Sequence, residues 1–526
     1  MLYNNFDKTA AYRKLLDYAA TWKGFDFRAA LNAERVRQCQ SKMAAGFSYS
    51  WAAKPVDDDV VKLLQELADE QELIGKYKAL INGEVINTGE KRKVLHQLLR
   101  GEQGKPVIEN GKNIGEFYRK ELQRFCDFAD AVHSGKFMGS TGRAFSTVVQ
   151  IGIGGSDLGP RALYLALDNY AVANGKKKMN AHFISNVDPD DASAVIDSVP
   201  LEQSLFVLVS KSGTTQETLA NELFVKGKLQ KAGLDSSKHI VAVTSETSPL
   251  ANNPLYLDSF YIDDYIGGRY SSSSAVGGCI LSLAFGADVF KGFLSGAAEA
   301  DKMALEPDIL KNAALLDALI GVWERNFLGY PYTAVLPYSQ ALSRFPAHLQ
   351  QLDMESNGKR VNRDGQPIAY NTGPVVFGEP GTNGQHSFYQ LLHQGTSIVP
   401  LQFIGFTESQ KGDDVSVDGS VSQTKLKANL AAQIVAFAKG QSDANLNKDF
   451  PGGRPSSLIY GKQLTPAALG SLLAHFENKV MFQGFVWNIN SFDQEGVQLG
   501  KILTKKVLAG NSGDSALDVY SKMLGV

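Results

Sequence analysis

The sequence predicts an α/β protein built from two α-β-α subdomains with parallel sheets, and three observations carry that expectation. Between about 145 and 265, apolar β-rich runs alternate with helical stretches, the runs being 147–151, 182–187, 205–209 and 239–244. Such spacing marks βαβ units whose sheet is covered on both faces. The pattern returns at 333–336, 375–377 and 398–403. Finally, 526 residues are too many for one simple core.

Taken in order, residues 1–115 read as a mainly helical region packing on the larger subdomain, with no strand-rich pattern. Asp57-Asp58-Asp59 before Val60-Val61 is a helix start, because acidic side chains complement the positive end of the helix dipole. Residues 116–290 form the first expected subdomain and 291–510 the second. The longest apolar stretch, 275–287, is too short to span a bilayer and reads as a core helix. Residues 407–425, with Asp413, Asp414, Asp418 and Gly419, read as a surface loop. Residues 511–526 read as a short arm.

Composition narrows the class. Lys and Arg total 53 against 55 Asp and Glu, a formal charge of −2, so no basic field suits nucleic acid. Cys39, Cys126 and Cys279 lack metal-ligand or redox spacing, which fits a reducing cytoplasm. The amino terminus has no apolar signal core.

The densest chemistry lies at Ser210-Lys-Ser-Gly-Thr-Thr-Gln-Glu-Thr218, directly after the run 205–209 and before an amphipathic stretch. Ser210, Ser212, Thr214, Thr215 and Thr218, with Lys211 and Gly213, sit where a helix begins. Unpaired backbone N–H groups and the dipole make such a turn an anion site, and the anion it suits is a phosphoryl group. A helix cap accounts for one or two of these hydroxyls.

The other segments each carry two readings. Ile151-Gly-Ile-Gly-Gly-Ser-Asp-Leu-Gly-Pro160 fails the dinucleotide fingerprint at Asp157 and the P-loop fingerprint at Pro160. What remains is close approach to a small ligand by Gly154, Gly155 and Ser156, or a tight structural turn. Arg269, in Gly267-Gly-Arg-Tyr-Ser-Ser-Ser-Ser-Ala275, offers a fixed cation to a developing oxyanion, or caps a surface turn. In Gln351-Leu-Asp-Met-Glu-Ser-Asn-Gly-Lys359, Gln351 and Glu355 are four apart and share a helical face. That suits a positioned base, while Glu355 with Lys359 also makes an ordinary surface pair. His386 closes a glycine-rich loop, 378–386; His393 lies seven residues on, but no third ligand has metal-site spacing. Gln494 and Lys501 are seven apart, so one helical face can present both.

Segments 151–160, 210–218, 267–275, 353–359, 378–386 and 492–501, in this order, closely resemble the phosphoglucose isomerase family. The resemblance implies two sugar-isomerase (SIS) type subdomains, no cofactor, no metal, and a homodimer. It implies an aldose–ketose isomerase of glycolysis and gluconeogenesis that interconverts glucose 6-phosphate and fructose 6-phosphate through a cis-enediolate. By this resemblance Ser210, Lys211, Ser212, Gly213, Thr214 and Thr215 hold the phosphate, and Gly155 and Ser156 lie beside the sugar. Glu355 matches the base, Arg269 the residue near the enediolate, and Gln351 and Gln494 line the site. His386, supplied by the partner chain, and Lys501 match the ring-opening pair. Glu495 stands where many members carry Trp, Gln498 where many carry Glu, and 271–274 is unusually serine-rich. A dual glucose/mannose-phosphate isomerase and a phosphosugar-sensing binding module are the alternatives. The partners implied are a phosphosugar and a second copy, with no nucleic acid and no membrane.

Overall fold

A computed structural model describes residues 2–510 and 512–526; Met1, and Asn511 at the start of the expected arm, lie outside the described residues. The first sheet runs Ser259–Tyr261, Ile240–Thr244, Ser204–Val209, Thr147–Ile151, Asn180–Ile184, every neighbour parallel. Its three middle strands are buried at every position. That is why they read as unbroken apolar runs and not as alternating ones. The strand expected at 182–187 stops at Ile184, because the Asp191 carboxylate accepts the next two amides, of Ser185 and Asn186. The short edge strand Ser259–Tyr261 was not anticipated.

The second sheet is mixed. Ser456–Gly461, Leu401–Phe406, Tyr332–Pro337 and Val375–Phe377 run parallel. The expected run 398–403 is shifted, since Pro400 precedes the ladder that starts at Leu401. Two further strands come from the region expected to be helical: Ser48–Ser50 pairs antiparallel with Ser456–Gly461, and Gln40–Lys42 continues the edge. The parallel arrangement expected for this sheet holds in its four later strands, and the two antiparallel strands at its edge were not anticipated. These strands bury only Ser41 and Tyr49 on one face, so their sequence shows no apolar run.

The helix start at 57–59 is as read: the Asp57 carboxylate accepts the Val60 amide at 2.9 Å and opens Asp58–Glu70. The apolar stretch 275–287 becomes Ala275–Phe285, buried throughout. The polar segment 407–425 holds a small hairpin, Ser416–Val417 with Ser420–Val421, and Asp414 accepts the Ser422 and Gln423 amides that open the helix Ser422–Lys439.

Helices Ala287–Met303 and Pro466–Val486 cross so closely that side chains are excluded. A Cβ on Gly296 would lie 1.9 Å from the Ala467 carbonyl oxygen, and one on Gly470 would lie 1.9 Å from that of Phe293. Gly227, inside the helix Gln216–Lys231, faces open space instead. Gly470→Val is expected to lower stability by about 3 kcal/mol, the scale of severe overpacking. Gly227→Ala is expected to raise it by roughly 0.5–1 kcal/mol through helix propensity. Urea unfolding midpoints of both variants check the opposite signs.

Candidate functional site

Chain order in the first sheet sets where a ligand can sit. From Thr147–Ile151 the chain steps outward to Asn180–Ile184, then returns across the first strand to Ser204–Val209. Connections leaving these two neighbours diverge, and a crevice opens at their carboxyl ends. The turn 154–156 leaves one strand and the hydroxyl-rich turn leaves the other.

The hydroxyl-rich turn is held open by its own side chains. Ser210 Oγ accepts the Gly213 amide at 3.1 Å and donates to Thr215 Oγ1 at 3.2 Å. Ser212 Oγ accepts both the amide and the hydroxyl of Thr214. Thr215 stands at the N-cap of Gln216–Lys231 without capping it through its side chain, so the first-turn amides face the crevice. Gly213 takes φ +66°, and a Cβ there would meet Ser248 Oγ at 2.2 Å. Lys211 Nζ donates to the Ile266 carbonyl at 3.1 Å and lies 3.9 Å from the Asp264 carboxylate. Burial lowers the pKa of its ammonium.

Arg269 comes from the turn before the core helix and is 1% exposed. Its Nε donates to Ser356 Oγ at 2.6 Å, and Nη2 donates to the carbonyls of Ser491 and Asp493 at 2.7 and 3.0 Å. Nη1 donates to Gln494 Oε1 at 3.2 Å and stands 3.7 Å from the Glu355 carboxylate. The surface-cap reading of this arginine is excluded.

Glu355 closes a π-type turn, Gln351–Glu355, that continues the helix Phe345–Gln350. Lys359 does not form the surface pair the spacing allowed. Its Nζ donates to the Asp493 carboxylate at 2.7 Å and to the Asp493 carbonyl at 2.8 Å. Glu355 is thereby left with Arg269 as its cationic neighbour within 4.0 Å among the described residues. Two residues earlier, Asp353 points the other way, into the core, and burial pushes its carboxyl up to about 7 against the pull of Lys479.

A cavity of about 350 Å³ joins these parts. Ser156, Ser210, Lys211, Ser212, Thr215, Arg269, Gln351, Glu355, Gln494 and Lys501 all line it. Gly155 does not: it packs beneath, where a Cβ would lie 2.2 Å from the Gly268 backbone. Gly213 is buried behind the turn and Thr214 is exposed outside it. His386 is exposed and is not among the lining residues; His393 stacks on Phe437 and bonds Gln433. Gln494 precedes the helix Gln498–Leu508 that carries Lys501, so the two do not share a helical face, although both reach the cavity.

Sequence reasoning missed Asn87, Glu90 and Lys93, which reach the cavity from a short hairpin, Val85–Asn87 with Arg92–Lys93. It also missed Asp264 and Tyr265, although these lie three and two residues before Gly267. No spacing in the sequence ties the hairpin to residues more than a hundred positions away.

With this geometry in hand, comparison with known proteins is direct. The sequence profile described as phosphoglucose isomerase matches residues 49–521. A glucose-6-phosphate isomerase of Treponema denticola is 61% identical, the match covering 100% of both chains. One from Treponema pallidum is 62% identical, over 97% of this chain and 96% of its own. The crystal structure of a glucose-6-phosphate isomerase from Chlamydia trachomatis superposes with a TM-score of 0.92 at 43% identity, covering 99% of each chain.

The buried Asp353 gives the π-type turn a pH signature. Its folded-state pKa of about 7 lies above the unfolded value of about 3.9. Between these limits the unfolded chain has lost the proton and the folded chain keeps it, so stability falls as pH rises. Asp353→Asn abolishes that titration. Urea midpoints measured near pH 4 and near pH 7 are expected to drop more steeply for the wild type than for the variant. Parallel profiles would mean that Asp353 titrates like a surface group.

Proposed function

The chain belongs to the phosphoglucose isomerase family, and on that footing we propose that its cavity interconverts glucose 6-phosphate and fructose 6-phosphate by proton transfer through a cis-enediolate. The observation that carries the reading is one pair: a cavity-lining carboxylate, Glu355, 3.7 Å from the buried, fully anchored guanidinium of Arg269. The hydroxyl-rich turn lines the same cavity.

In this reading the phosphate rests on Ser210, Lys211, Ser212 and Thr215, with the amides of the helix start behind them. Gly213 and Thr214 shape the turn, and Ser156 lies beside the sugar. Binding energy from the phosphate, remote from the reacting carbons, holds the opened chain in a reactive pose. Ring opening needs a proton taken from O1 and one given to O5, the task of His386 and Lys501. Glu355 then removes the C2 proton and returns it to C1, while the O2 proton passes to O1. Charge develops on the enediolate oxygens, and Arg269 stabilises it without exchanging a proton itself. Gln351 and Gln494 orient the hydroxyls. No step calls for a cofactor or metal.

His386 belongs to this scheme as a residue of the partner subunit in a homodimer. Its exposure away from the chain's own cavity supports that assignment. Leu499 and Leu508 on Gln498–Leu508, and Tyr520 and Met523 on the last helix, Ser515–Met523, are each more than 60% exposed, an apolar surface suited to a second copy. Among the described residues no helix is long and apolar enough to cross a membrane. The three buried free thiols support the cytoplasm as the site of action.

Two measurements test the scheme. Glu355→Gln keeps size and removes the base, so kcat is expected to fall ~10²–10⁴-fold, with solvent exchange at C2 falling in parallel. Wild-type exchange at C2 in that variant would assign the base elsewhere. For His386, Glu355→Gln and His386→Ala chains are each expected to be nearly inactive alone. Co-refolded, they are expected to recover roughly a quarter of wild-type activity, because random pairing makes half the dimers mixed, each with one intact site. No recovery would place His386 in the site of its own chain.

A further inference from the structure

The helical residue after the base has no part in the scheme above, yet it is fully buried and touches the cation. Ser356 is 0% exposed and its Oγ accepts the Arg269 Nε–H at 2.6 Å, the shortest of that guanidinium's hydrogen bonds. The same oxygen stands 2.9 Å from the Tyr270 hydroxyl. Tyr270 is itself buried, stacked on His96 with ring centroids 4.5 Å apart, and packed against Phe492. Its ring also lies under the guanidinium, 5.5 Å from Arg269 Cζ.

Consecutive helical side chains diverge by about 100°. Glu355 thus turns to the cavity while Ser356 turns inward to the arginine. A single peptide link joins the residue bearing the carboxylate to the one whose hydroxyl holds the guanidinium. Asn357 extends the arrangement: its Oδ1 accepts from Ser491 Oγ at 2.6 Å, and the Ser491 carbonyl accepts from Arg269 Nη2.

We propose that Ser356, braced by Tyr270, is a positioning residue that sets the aim of the Arg269 guanidinium relative to Glu355. The inference rests on the reading of Arg269 as the stabiliser of the enediolate. The hydroxyl holds Nε, so the guanidinium plane cannot rotate about its stem. The Nη1–H not bound to Gln494 then stays directed toward the side where Glu355 and the reacting carbons meet. Without the hydroxyl, the carbonyl contacts on Nη2 and the Gln494 contact on Nη1 still tether the group, but its Nε end is freed to shift and tilt the plane.

The test separates positioning from general damage by comparing two ligands. One is a phosphorylated aldonohydroxamate, a planar anionic mimic of the enediolate. The other is sorbitol 6-phosphate, which carries the phosphate and no such charge. Ser356→Ala is expected to weaken hydroxamate binding about tenfold, the scale of one lost charge-assisted hydrogen bond, and to lower kcat by a similar factor. Sorbitol 6-phosphate affinity and KM are expected to stay within about twofold. Tyr270→Phe, which leaves the Ser356 hydroxyl in place, is expected to repeat the pattern at smaller amplitude, and it decides the matter if Ser356→Ala does not fold. Equal weakening of both ligands, or of neither, overturns the proposal. Arg269→Lys distinguishes the premise: wild-type hydroxamate affinity in that variant overturns the stabiliser role and the proposal with it. A large loss there with none in Ser356→Ala or Tyr270→Phe overturns the positioning role alone.

Discussion

The site depends on one buried cation whose partners come from elsewhere in the chain. Arg269 enters from a turn beside the first sheet, and its acceptors, Ser356, Ser491, Asp493 and Gln494, all follow Tyr332–Pro337, a strand of the second. Removing a guanidinium from water is costly unless its N–H groups are met. Here Nε and Nη2 are fully satisfied, largely by neutral oxygens. That choice matters chemically. Carbonyl and hydroxyl acceptors satisfy the donors without cancelling the charge, so the positive field persists toward the cavity. The Asp493 carboxylate, which could have neutralised it, is occupied by Lys359 and Asn490.

A second polar cluster serves a different end. Asp317 accepts from Tyr49, Gln402 and Lys479, and bonds His475, linking an amino-terminal strand, a central strand and the long helix Pro466–Val486. Burial would raise its carboxyl, but Lys479, His475 and Lys54 outweigh that and hold it well below the usual carboxylate range. Here charges are matched in full, as they must be where no ligand is to be addressed. One chain thus contains both a neutralised interior cluster and a cation whose one carboxylate neighbour, Glu355, lines the cavity.

What could be read in advance follows from how locally each feature is encoded. The hydroxyl-rich turn was legible because five side chains and the helix start occupy nine consecutive residues. Glu355 was ambiguous, since Lys359 was its only visible cationic partner by spacing. Asp493 resolves the ambiguity, and no periodicity connects it to 359. The shared helical face expected for Gln494 and Lys501 failed because helix Gln498–Leu508 begins too late. Strands such as Gln40–Lys42 and Ser48–Ser50 were illegible for another reason. At the edge of a sheet, backbone pairing carries the stabilisation and side chains need not be apolar.

That same edge pairing has a consequence for how the protein is made. Every strand of the first sheet lies within 147–261, so this half can close while later residues are still on the ribosome. The second sheet cannot. Ser48–Ser50 leaves the exit tunnel early and then waits for its partner Ser456–Gly461, some four hundred residues behind it. At about 5–20 residues per second that interval is roughly 20–80 s of exposed, half-formed ladder. The polar character of the waiting strand, Ser-Tyr-Ser, then gains a second meaning. An apolar strand left unpaired for that long would recruit neighbouring nascent chains, whereas a serine-flanked one stays solvated until its own partner arrives.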